Sequence, residues 1–215
     1  PDAWLPAYCR VPADSEANIY LSAGIHGDEP AGPLAIRRLI TEDLLPRCFS
    51  YWIVPCLNPD GFENNTRQNE NNIDLNRDYK ALRAPRTRAH IRWLEEQPRF
   101  DLGLMLHEDW EANGFYLYEL NPDTKTSMAS QVIRAVSSVC PIETAEQVDG
   151  REASGGMIRF VGHVPERDEW PEAIWLIHNR TRHNYTLEAP SDFPLSTRVD
   201  ALVRGALTLL GAQPR

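Results

Sequence analysis

Short apolar runs alternate with helix-like patterns along the first half of the chain. Asn18–Gly24 is rich in strand-forming residues, and Pro30 suits the first turn of a helix whose apolar positions then recur at helical spacing. Tyr51–Leu57 predicts a buried strand, which Asn58-Pro59-Asp60-Gly61 ends with a strong turn signal. The polar stretch that follows, Phe62 to Tyr79, has little capacity to form a core.

The second half continues this alternation of strands and helices. It predicts helices at 87–97, 127–139 and 195–210, and strands at 102–106, 115–120, 173–177 and 185–187. Pro141 to Glu172 gives no clear pattern, although Gly155-Gly156 indicates a loop or a hairpin. Repeated alternation predicts an α/β three-layer sandwich, with a central mixed, mostly parallel sheet flanked by helices. In such folds, polar residues just past the carboxyl ends of strands form the binding crevice.

Length and composition fit one domain over residues 1–215 that binds neither membrane nor nucleic acid. The chain is 42% hydrophobic and 25% charged, without a run of about 18 apolar residues. Its net charge is −9, and it lacks a dense cluster of Lys and Arg for binding phosphates. Its four cysteines show neither CxxC spacing nor the density of a disulfide framework. We therefore expect reduced, mostly buried thiols and, since no signal peptide is visible, a cytoplasmic location.

Three residues that follow predicted strands could share a metal ion. His26 and Glu29 lie three positions apart after the first strand, and His107 directly follows strand 102–106. Two histidines and a carboxylate with one open position are typical of catalytic zinc. An HxxE pair by itself is weak evidence, because many surfaces carry one by chance. His90 lies between arginines in a helical pattern, and we expect it to be solvated.

The polar stretch carries residues suited to recognising an anion. Asn76 and Arg77 combine an amide with a planar guanidinium, a pairing that can bind a carboxylate. Arg67 adds a second positive charge nearby. The alternative is that this stretch is simply a solvated loop.

Six motifs in a fixed order resemble those of the zinc metallocarboxypeptidases, near the short bacterial branch of succinylglutamate desuccinylase and aspartoacylase. The resemblance covers about three quarters of the chain. The motifs are HGDE from His26, NPDG from Asn58, RQN from Arg67, DLNR from Asp74, the strand-borne His107, and TLE ending at Glu188.

The resemblance implies a zinc carboxypeptidase-like fold and a metal site. His26, Glu29 and His107 match the three ligands of one Zn²⁺ per chain. Asp74 matches the carboxylate that orients the first zinc histidine and fixes its tautomer. A second ion is an open alternative, because Glu108 directly follows the last ligand.

The remaining matched residues are implied in substrate binding and catalysis. Arg67 matches the arginine that polarises the scissile carbonyl and stabilises the oxyanion. Asn76 and Arg77 match the pair that binds the substrate's terminal carboxylate. Glu188 matches the general base.

Two features depart from the family or stay open. The family's tyrosine, about twenty residues before the general base, has no counterpart between Arg159 and Trp170. Tyr185 lies three residues from Glu188 and therefore faces the opposite side of a strand, which leaves Tyr116 and Tyr118 as unassigned candidates. We expect Glu108 and Asp109 to line an acidic cleft mouth that favours substrates with a cationic group; the alternative is that one of them binds a second metal.

The sequence therefore predicts a zinc-dependent hydrolase that cleaves an amide bond adjacent to a free carboxylate. Its expected substrate is a peptide or a cell-wall peptide fragment, because the short chain leaves little room for subsite loops. An N-acyl amino acid deacylase of the succinylglutamate desuccinylase/aspartoacylase type is the alternative, with the same chemistry on a small molecule. A non-catalytic metal- or substrate-binding domain is a third possibility, although such a domain would need neither Glu188 nor Arg67.

Overall fold

A central β-sheet organises the computed structural model, which describes residues 5–212. Seven strands form this sheet in the order β1-β3-β2-β4-β9-β5-β8, and β6 and β7 pair separately. The strands are β1 (Tyr8–Arg10), β2 (Asn18–Ala23), β3 (Ser50–Val54), β4 (Leu102–Asp109), β5 (Tyr116–Asn121), β6 (Gln147–Val148), β7 (Arg151–Glu152), β8 (Met157–Val161) and β9 (Asn184–Pro190).

Most neighbouring strands of the sheet are parallel. The run β3-β2-β4-β9 is parallel throughout, and β5 is parallel to β8. Antiparallel pairing occurs between β1 and β3 and between β5 and β9. The prediction of a mixed, mostly parallel sheet is therefore confirmed.

Helices cover both faces of the sheet and give the predicted three layers. Ile19 and Leu21 of β2 pack in a core with α1, α4 and α6, whereas Tyr20 between them packs in a second core with α3 and α5. Within residues 5–212, none of the helices is both long enough and apolar enough to cross a membrane. The helices are α1 (Ala31–Thr41), α2 (Pro59–Asn64), α3 (Pro85–Glu95), α4 (Ala129–Val136), α5 (Glu172–Asn179) and α6 (Leu195–Leu209), with a 3-10 turn at Leu75–Arg77.

One predicted strand is a helix. Residues 173–177 lie within α5 rather than in a strand, while the other predicted elements are present with ends shifted by up to three residues. A short run of large apolar residues fits a buried helix as well as a buried strand. Pro171 directly before the helix and Glu172 in its first turn were the signals that favour a helix start.

The segment that gave no clear pattern contains a hairpin and an edge strand. Asp149 and Gly150 join β6 to β7 with φ angles of 48° and 66°, as expected for a two-residue hairpin turn. Gly155-Gly156 forms a second tight turn, closed by a bridge between Ser154 and Met157. The prediction of a loop or a hairpin at Gly155-Gly156 is thus confirmed, but strand β8, which extends the main sheet beside β5, was not predicted.

The cysteines are free thiols, as predicted. Cys140 is buried, Cys48 and Cys56 are half-buried, and Cys9 is exposed. The prediction that most of them are buried is therefore wrong.

Candidate metal centre and cleft

The three predicted metal ligands meet at the carboxyl edge of the sheet. His26 follows β2, His107 lies in the neighbouring strand β4, and Glu29 lies just before α1. The Glu29 carboxylate lies between the two rings, with Oε1 2.5 Å from His26 Nδ1 and Oε2 2.9 Å from His107 Nδ1. One ligand atom from each residue lies within 4.8 Å of the others, and all three side chains are buried.

Backbone contacts explain the glycines of the HGDE and NPDG motifs. A Cβ atom at Gly27 would lie 1.9 Å from the carbonyl carbon of Gly61, so only glycine permits this approach. Asn58 caps α2 by accepting a hydrogen bond from the Gly61 N–H at 3.1 Å, and its amide donates to the Arg67 carbonyl at 3.3 Å. The Asn58 backbone N–H also donates to the Gly24 carbonyl at 2.8 Å, so Asn58 fixes the start of the polar stretch beside the segment that leads from β2 to His26.

Asp74 links the metal cluster to the polar stretch. Its Oδ1 atom lies 3.4 Å from His26 Nε2, a buried nitrogen that makes no hydrogen bond of good geometry. The same oxygen accepts from the Asn76 backbone N–H at 2.8 Å, and Oδ2 accepts from Arg67 Nε at 3.1 Å. One carboxylate thus positions an imidazole, a guanidinium and the 3-10 turn.

Electrostatics within the cluster favour a bound cation. Burial raises the pKa of Glu29, but His26 and His107 outweigh burial and hold that pKa at about 2. Burial lowers the pKa of each histidine, but the Glu29 carboxylate outweighs it and raises both above the usual value. Two imidazole nitrogens and a carboxylate that are buried together form a donor set suited to a divalent metal ion.

Glu188 lies on β9 directly beside the cluster. It is the register partner of His107 in the neighbouring parallel strand, so both side chains project from the same face of the sheet. Burial raises the pKa of Glu188 against the attraction of His107, and Glu29 adds repulsion, which brings the pKa to about 8. A cation held by the cluster would favour the charged form of this carboxylate.

The predicted anion-binding residues line the same cleft, whose volume is about 300 Å³. Arg67 Nη1 lies 3.7 Å from Glu29 Oε1. Asn76 accepts a hydrogen bond from the Glu172 backbone N–H at 3.0 Å, and Arg77 Nη1 donates to the Asn76 carbonyl at 2.9 Å. Of the predicted metal, catalytic and substrate-binding residues, seven line the cleft: His26, Glu29, Arg67, Asn76, Arg77, His107 and Glu188. The eighth, Asp74, contacts the cleft residue His26.

The two acidic residues after His107 face opposite sides of β4. Asp109 lines the cleft and accepts from the Tyr116 hydroxyl at 2.9 Å, as expected. The Glu108 carboxylate is instead buried, where it accepts from the Ala31 N–H and pairs with Arg198. Glu108 also borders the cleft, as expected, but alternation along the strand turns its buried carboxylate towards Arg198, so Glu108 adds no exposed negative charge to the cleft mouth.

The tyrosine candidates differ in position. Tyr116 and Tyr118 of β5 both line the cleft, and the Tyr118 hydroxyl donates to Asp149 at 3.1 Å. The Tyr185 hydroxyl donates to the buried Glu119 at 3.0 Å, which confirms that it faces away from Glu188. In the region where the family tyrosine is absent, Arg167 lines the cleft.

A buried polar chain behind the cleft was not predicted. His90 is fully buried and contacts the Tyr20 hydroxyl at 3.0 Å and the Tyr79 hydroxyl at 2.6 Å, so the expectation that it is solvated is wrong. It lies on the face of α3 that also buries Ile91. The Tyr20 hydroxyl in turn donates to Glu172 at 2.5 Å. The sequence signal for these hydrogen-bonded residues was Glu172, a charged residue at the start of an apolar run.

Solved structures and curated relatives share this architecture or parts of its sequence. A candidate metallopeptidase from Shewanella amazonensis superposes with a TM-score of 0.81 over 96% of this chain and 81% of its own. The two sequences are 23% identical, so this superposition shows a common fold. Murein peptide amidase A of Escherichia coli is 31% identical over 105 residues, which are 49% of this chain and 41% of that protein. Carboxypeptidase SOL1 of Arabidopsis thaliana is 35% identical over 104 residues, 39% of this chain and 21% of that protein.

The family assignment rests on a longer match. The chain spans less than half the length of either curated relative. The model of the succinylglutamate desuccinylase/aspartoacylase catalytic domain, by contrast, matches residues 15–161, which include the metal cluster and the polar stretch but not Glu188. Because this match covers well over half of the sequence, the chain belongs to the succinylglutamate desuccinylase/aspartoacylase catalytic domain family.

Proposed function

We propose that this chain is a zinc-dependent hydrolase that cleaves an amide bond adjacent to a free carboxylate, acting as one catalytic domain. Its proposed substrate is a peptide or a cell-wall peptide fragment, and the similarity to murein peptide amidase A supports that choice. The observation that carries the proposal is the placement of the His26–Glu29–His107 cluster beside Glu188 in one cleft.

His26, Glu29 and His107 would hold the zinc ion. When bound at such a site, zinc supplies Lewis-acid chemistry that polarises the amide carbonyl and lowers the pKa of water. Asp74, 3.4 Å from His26 Nε2, would keep that imidazole in the orientation that presents Nδ1. The chain itself must then supply a proton acceptor and a site for the substrate.

Glu188 is the proposed proton acceptor. Its carboxylate would take a proton from the attacking water and deliver that proton to the leaving amine nitrogen. Arg67 would donate hydrogen bonds to the oxyanion as it forms, because its guanidinium reaches to within 3.7 Å of the Glu29 carboxylate. A cation held by the cluster would lower the pKa of Glu188 from about 8, the value without a bound cation, so that the carboxylate is charged and able to accept the proton of the water.

Arg77 and Asn76 would bind the free carboxylate and thereby select the scissile bond. The Asn76 carbonyl oxygens are already engaged, the backbone one by Arg77 and the side-chain one by the Glu172 N–H. The Asn76 side-chain NH₂ therefore supplies its donor to the cleft, next to the Arg77 guanidinium. These contacts would be similar in the ground and transition states, so they set register rather than rate.

An N-acyl amino acid deacylase is the second candidate, and two observations favour it. The matching family model describes succinylglutamate desuccinylase and aspartoacylase. The cleft volume of about 300 Å³ also suits a small molecule. A binding domain without turnover is the third candidate, and the presence of Glu188 beside the cluster speaks against it.

A substrate panel on zinc-loaded protein tests these candidates. Dipeptides, γ-linked cell-wall peptides and N-acyl amino acids should be compared for the wild type and for Glu188→Gln, with metal content measured for both. We expect turnover in at least one class, and a fall of at least about 100-fold in the variant with metal retained. Turnover confined to N-acyl amino acids would favour the deacylase, and ligand binding without any turnover would favour the binding domain.

A further inference from the structure

Glu172 is a buried residue at the cleft whose carboxylate has no role in the proposed mechanism. It lies in the first turn of α5 and lines the cleft, yet it is only 1% exposed. Its two carboxylate oxygens accept from the Tyr20 hydroxyl at 2.5 Å and from the Ser22 hydroxyl at 3.1 Å. Both donors are neutral, and among residues 5–212 no arginine, lysine or histidine forms an ion pair with this carboxylate.

Two other fully buried carboxylates each have a cationic partner. Glu108 pairs with Arg198. Glu119 pairs with Arg159, whose Nε lies 2.6 Å from Oε2. Burial of a carboxylate without such a partner is costly, because the charged form loses its hydration without a compensating charge. The charged form of Glu172 therefore needs a positive charge from elsewhere.

The strand register places the Glu172 carboxylate near the metal cluster. Ser22, which donates to it, is the register partner of Met105 on the neighbouring strand. Met105 lines the cleft, and His107 projects from the same face two residues, or about 7 Å, further along β4. Burial raises the pKa of Glu172, whereas the hydroxyl donors and the charges of His107 and His26 lower it. The cluster is therefore close enough to act on this carboxylate.

A divalent ion in the cluster would supply the missing positive charge. The ligands contribute one negative charge, that of Glu29, because histidines bind a metal as neutral imidazoles. The occupied cluster would thus keep an excess of positive charge. Asp74 is already paired with Arg67, and Glu188 takes up a proton in the proposed reaction, so neither balances that charge throughout.

We propose that Glu172 is the permanent counter-charge of the bound metal ion and thereby raises the affinity of the cluster for that ion. It acts through its charge and does not coordinate the metal. The two hydroxyl donors hold the carboxylate in place at the base of the cleft. The inference rests on the proposed function for the presence of the metal, but not for the reaction.

The zinc affinity of the folded, purified protein tests the proposal. Glu172→Gln keeps the size of the side chain but removes its charge. We expect competition with a chelator to show a fall in Zn²⁺ affinity of about 10- to 100-fold, the loss typical of a residue that supports a site from outside the ligand set. Glu172→Asp keeps the charge and should retain most of the wild-type affinity. Glu119→Gln is the matched control: Glu119 is equally buried but paired with Arg159, so its replacement should leave zinc affinity unchanged.

Ser22→Ala provides a second variant, which decides the question if Glu172→Gln does not fold. It removes one donor from the Glu172 carboxylate and so disfavours the charged form, and we expect a smaller fall in zinc affinity. Unchanged affinity in Glu172→Gln, or in Ser22→Ala where Glu172→Gln does not fold, would overturn the proposal. An equal fall in Glu119→Gln, or a Glu172→Asp protein as weak as Glu172→Gln, would do the same. A wild type that binds zinc but hydrolyses no substrate would count against the proposed function alone, because the affinity comparison needs no turnover.

Discussion

The buried histidines of the metal cluster, His26 and His107, differ from the buried His90 in how their ring nitrogens are hydrogen-bonded. His26 and His107 share one carboxylate, Glu29, and His26 Nε2 lacks a good hydrogen bond. His90 is buried as completely, yet both of its ring nitrogens contact a tyrosine hydroxyl. The pKa values of His26 and His107 are raised, whereas burial lowers the pKa of His90 to about 3.

The difference teaches how to tell a ligand histidine from a structural one when both are buried. The Tyr20 hydroxyl donates to Glu172, so its oxygen must accept from His90 Nε2–H. His90 Nδ1 is then unprotonated and accepts from Tyr79. Each hydrogen bond from Tyr79 through His90 and Tyr20 is thus donated in the direction of the Glu172 carboxylate. The His90 imidazole is neutral, and both of its ring nitrogens have a hydrogen-bond partner. In the cluster, by contrast, two Nδ1 atoms converge on one carboxylate, an arrangement that a shared cation would complete.

Removal of a cluster histidine should have the largest effect on activity. We expect His107→Ala to abolish metal binding and to reduce turnover to background, because two remaining ligands do not complete a catalytic zinc site. The fold should be retained, since the sheet core does not depend on this side chain. Elemental analysis, turnover and circular dichroism check the three statements, with the exposed His163→Ala as the matched control. Retention of about one metal ion per chain would remove His107 from the ligand set.

Removal of His90 should produce the opposite pattern. His90→Ala leaves a cavity and deprives the Tyr20 and Tyr79 hydroxyls of their partner, so we expect a loss of about 2–4 kcal/mol in the free energy of unfolding. Metal content should stay at the wild-type value under conditions where the variant is folded. Denaturant unfolding and elemental analysis test the contrast, and a loss of metal from folded His90→Ala would contradict it.

Asp74 lets the comparison be sharpened within the cluster. Asp74→Asn keeps the size of the side chain but removes the charge beside His26 Nε2 and Arg67 Nε. Loss of such an outer partner typically costs 10- to 100-fold in metal affinity or activity, so we expect a decrease in that range rather than loss of the site. Competition with a chelator measures the affinity. Asp78→Asn, in a buried carboxylate that caps the backbone N–H groups of Arg83 and Ala84, is the control and should affect stability without this loss.

The same comparison shows what could be predicted from the sequence. The strand–helix alternation and the positions after strand ends sufficed to place His26 and His107 at one edge of the sheet, because parallel strands align their carboxyl ends. The metal cluster was predicted because His26 and Glu29 are three positions apart and His107 directly follows a predicted strand. Tyr20, Tyr79, His90 and Glu172 belong to no motif, so the sequence does not indicate that their side chains are connected.

Other errors have equally local causes. The apolar run 173–177 is too short for its periodicity to distinguish a helix from a strand, so this part of α5 was predicted as a strand. Strand β8 was not predicted because it is short and directly follows a glycine pair. The burial of the Glu108 carboxylate was not predicted, because the predicted strand ends at residue 106 whereas β4 continues to Asp109, and alternation along β4 turns this carboxylate away from the cleft. His90 was misplaced because its arginine neighbours occupy the exposed faces of α3 while His90 itself faces the sheet.

The pH dependence of stability provides the finest test of the comparison. The pKa of His90 is about 3 in the folded protein and near 6.5 in the unfolded chain, so between these values the unfolded state binds a proton that the folded state does not. Stability from this residue is therefore fully present above pH 6.5 and is lost as the pH falls towards 3, at no more than about 1.4 kcal/mol per pH unit. His90→Gln can still hydrogen-bond both tyrosines but does not titrate. We expect the difference in unfolding free energy between wild type and variant to be constant above pH 7 and to shrink in favour of the variant below pH 6. The contributions of His26, His107 and the carboxylates are common to both proteins and cancel in this difference, so parallel stability profiles from pH 7 to pH 4 would show that His90 is not buried in the neutral form.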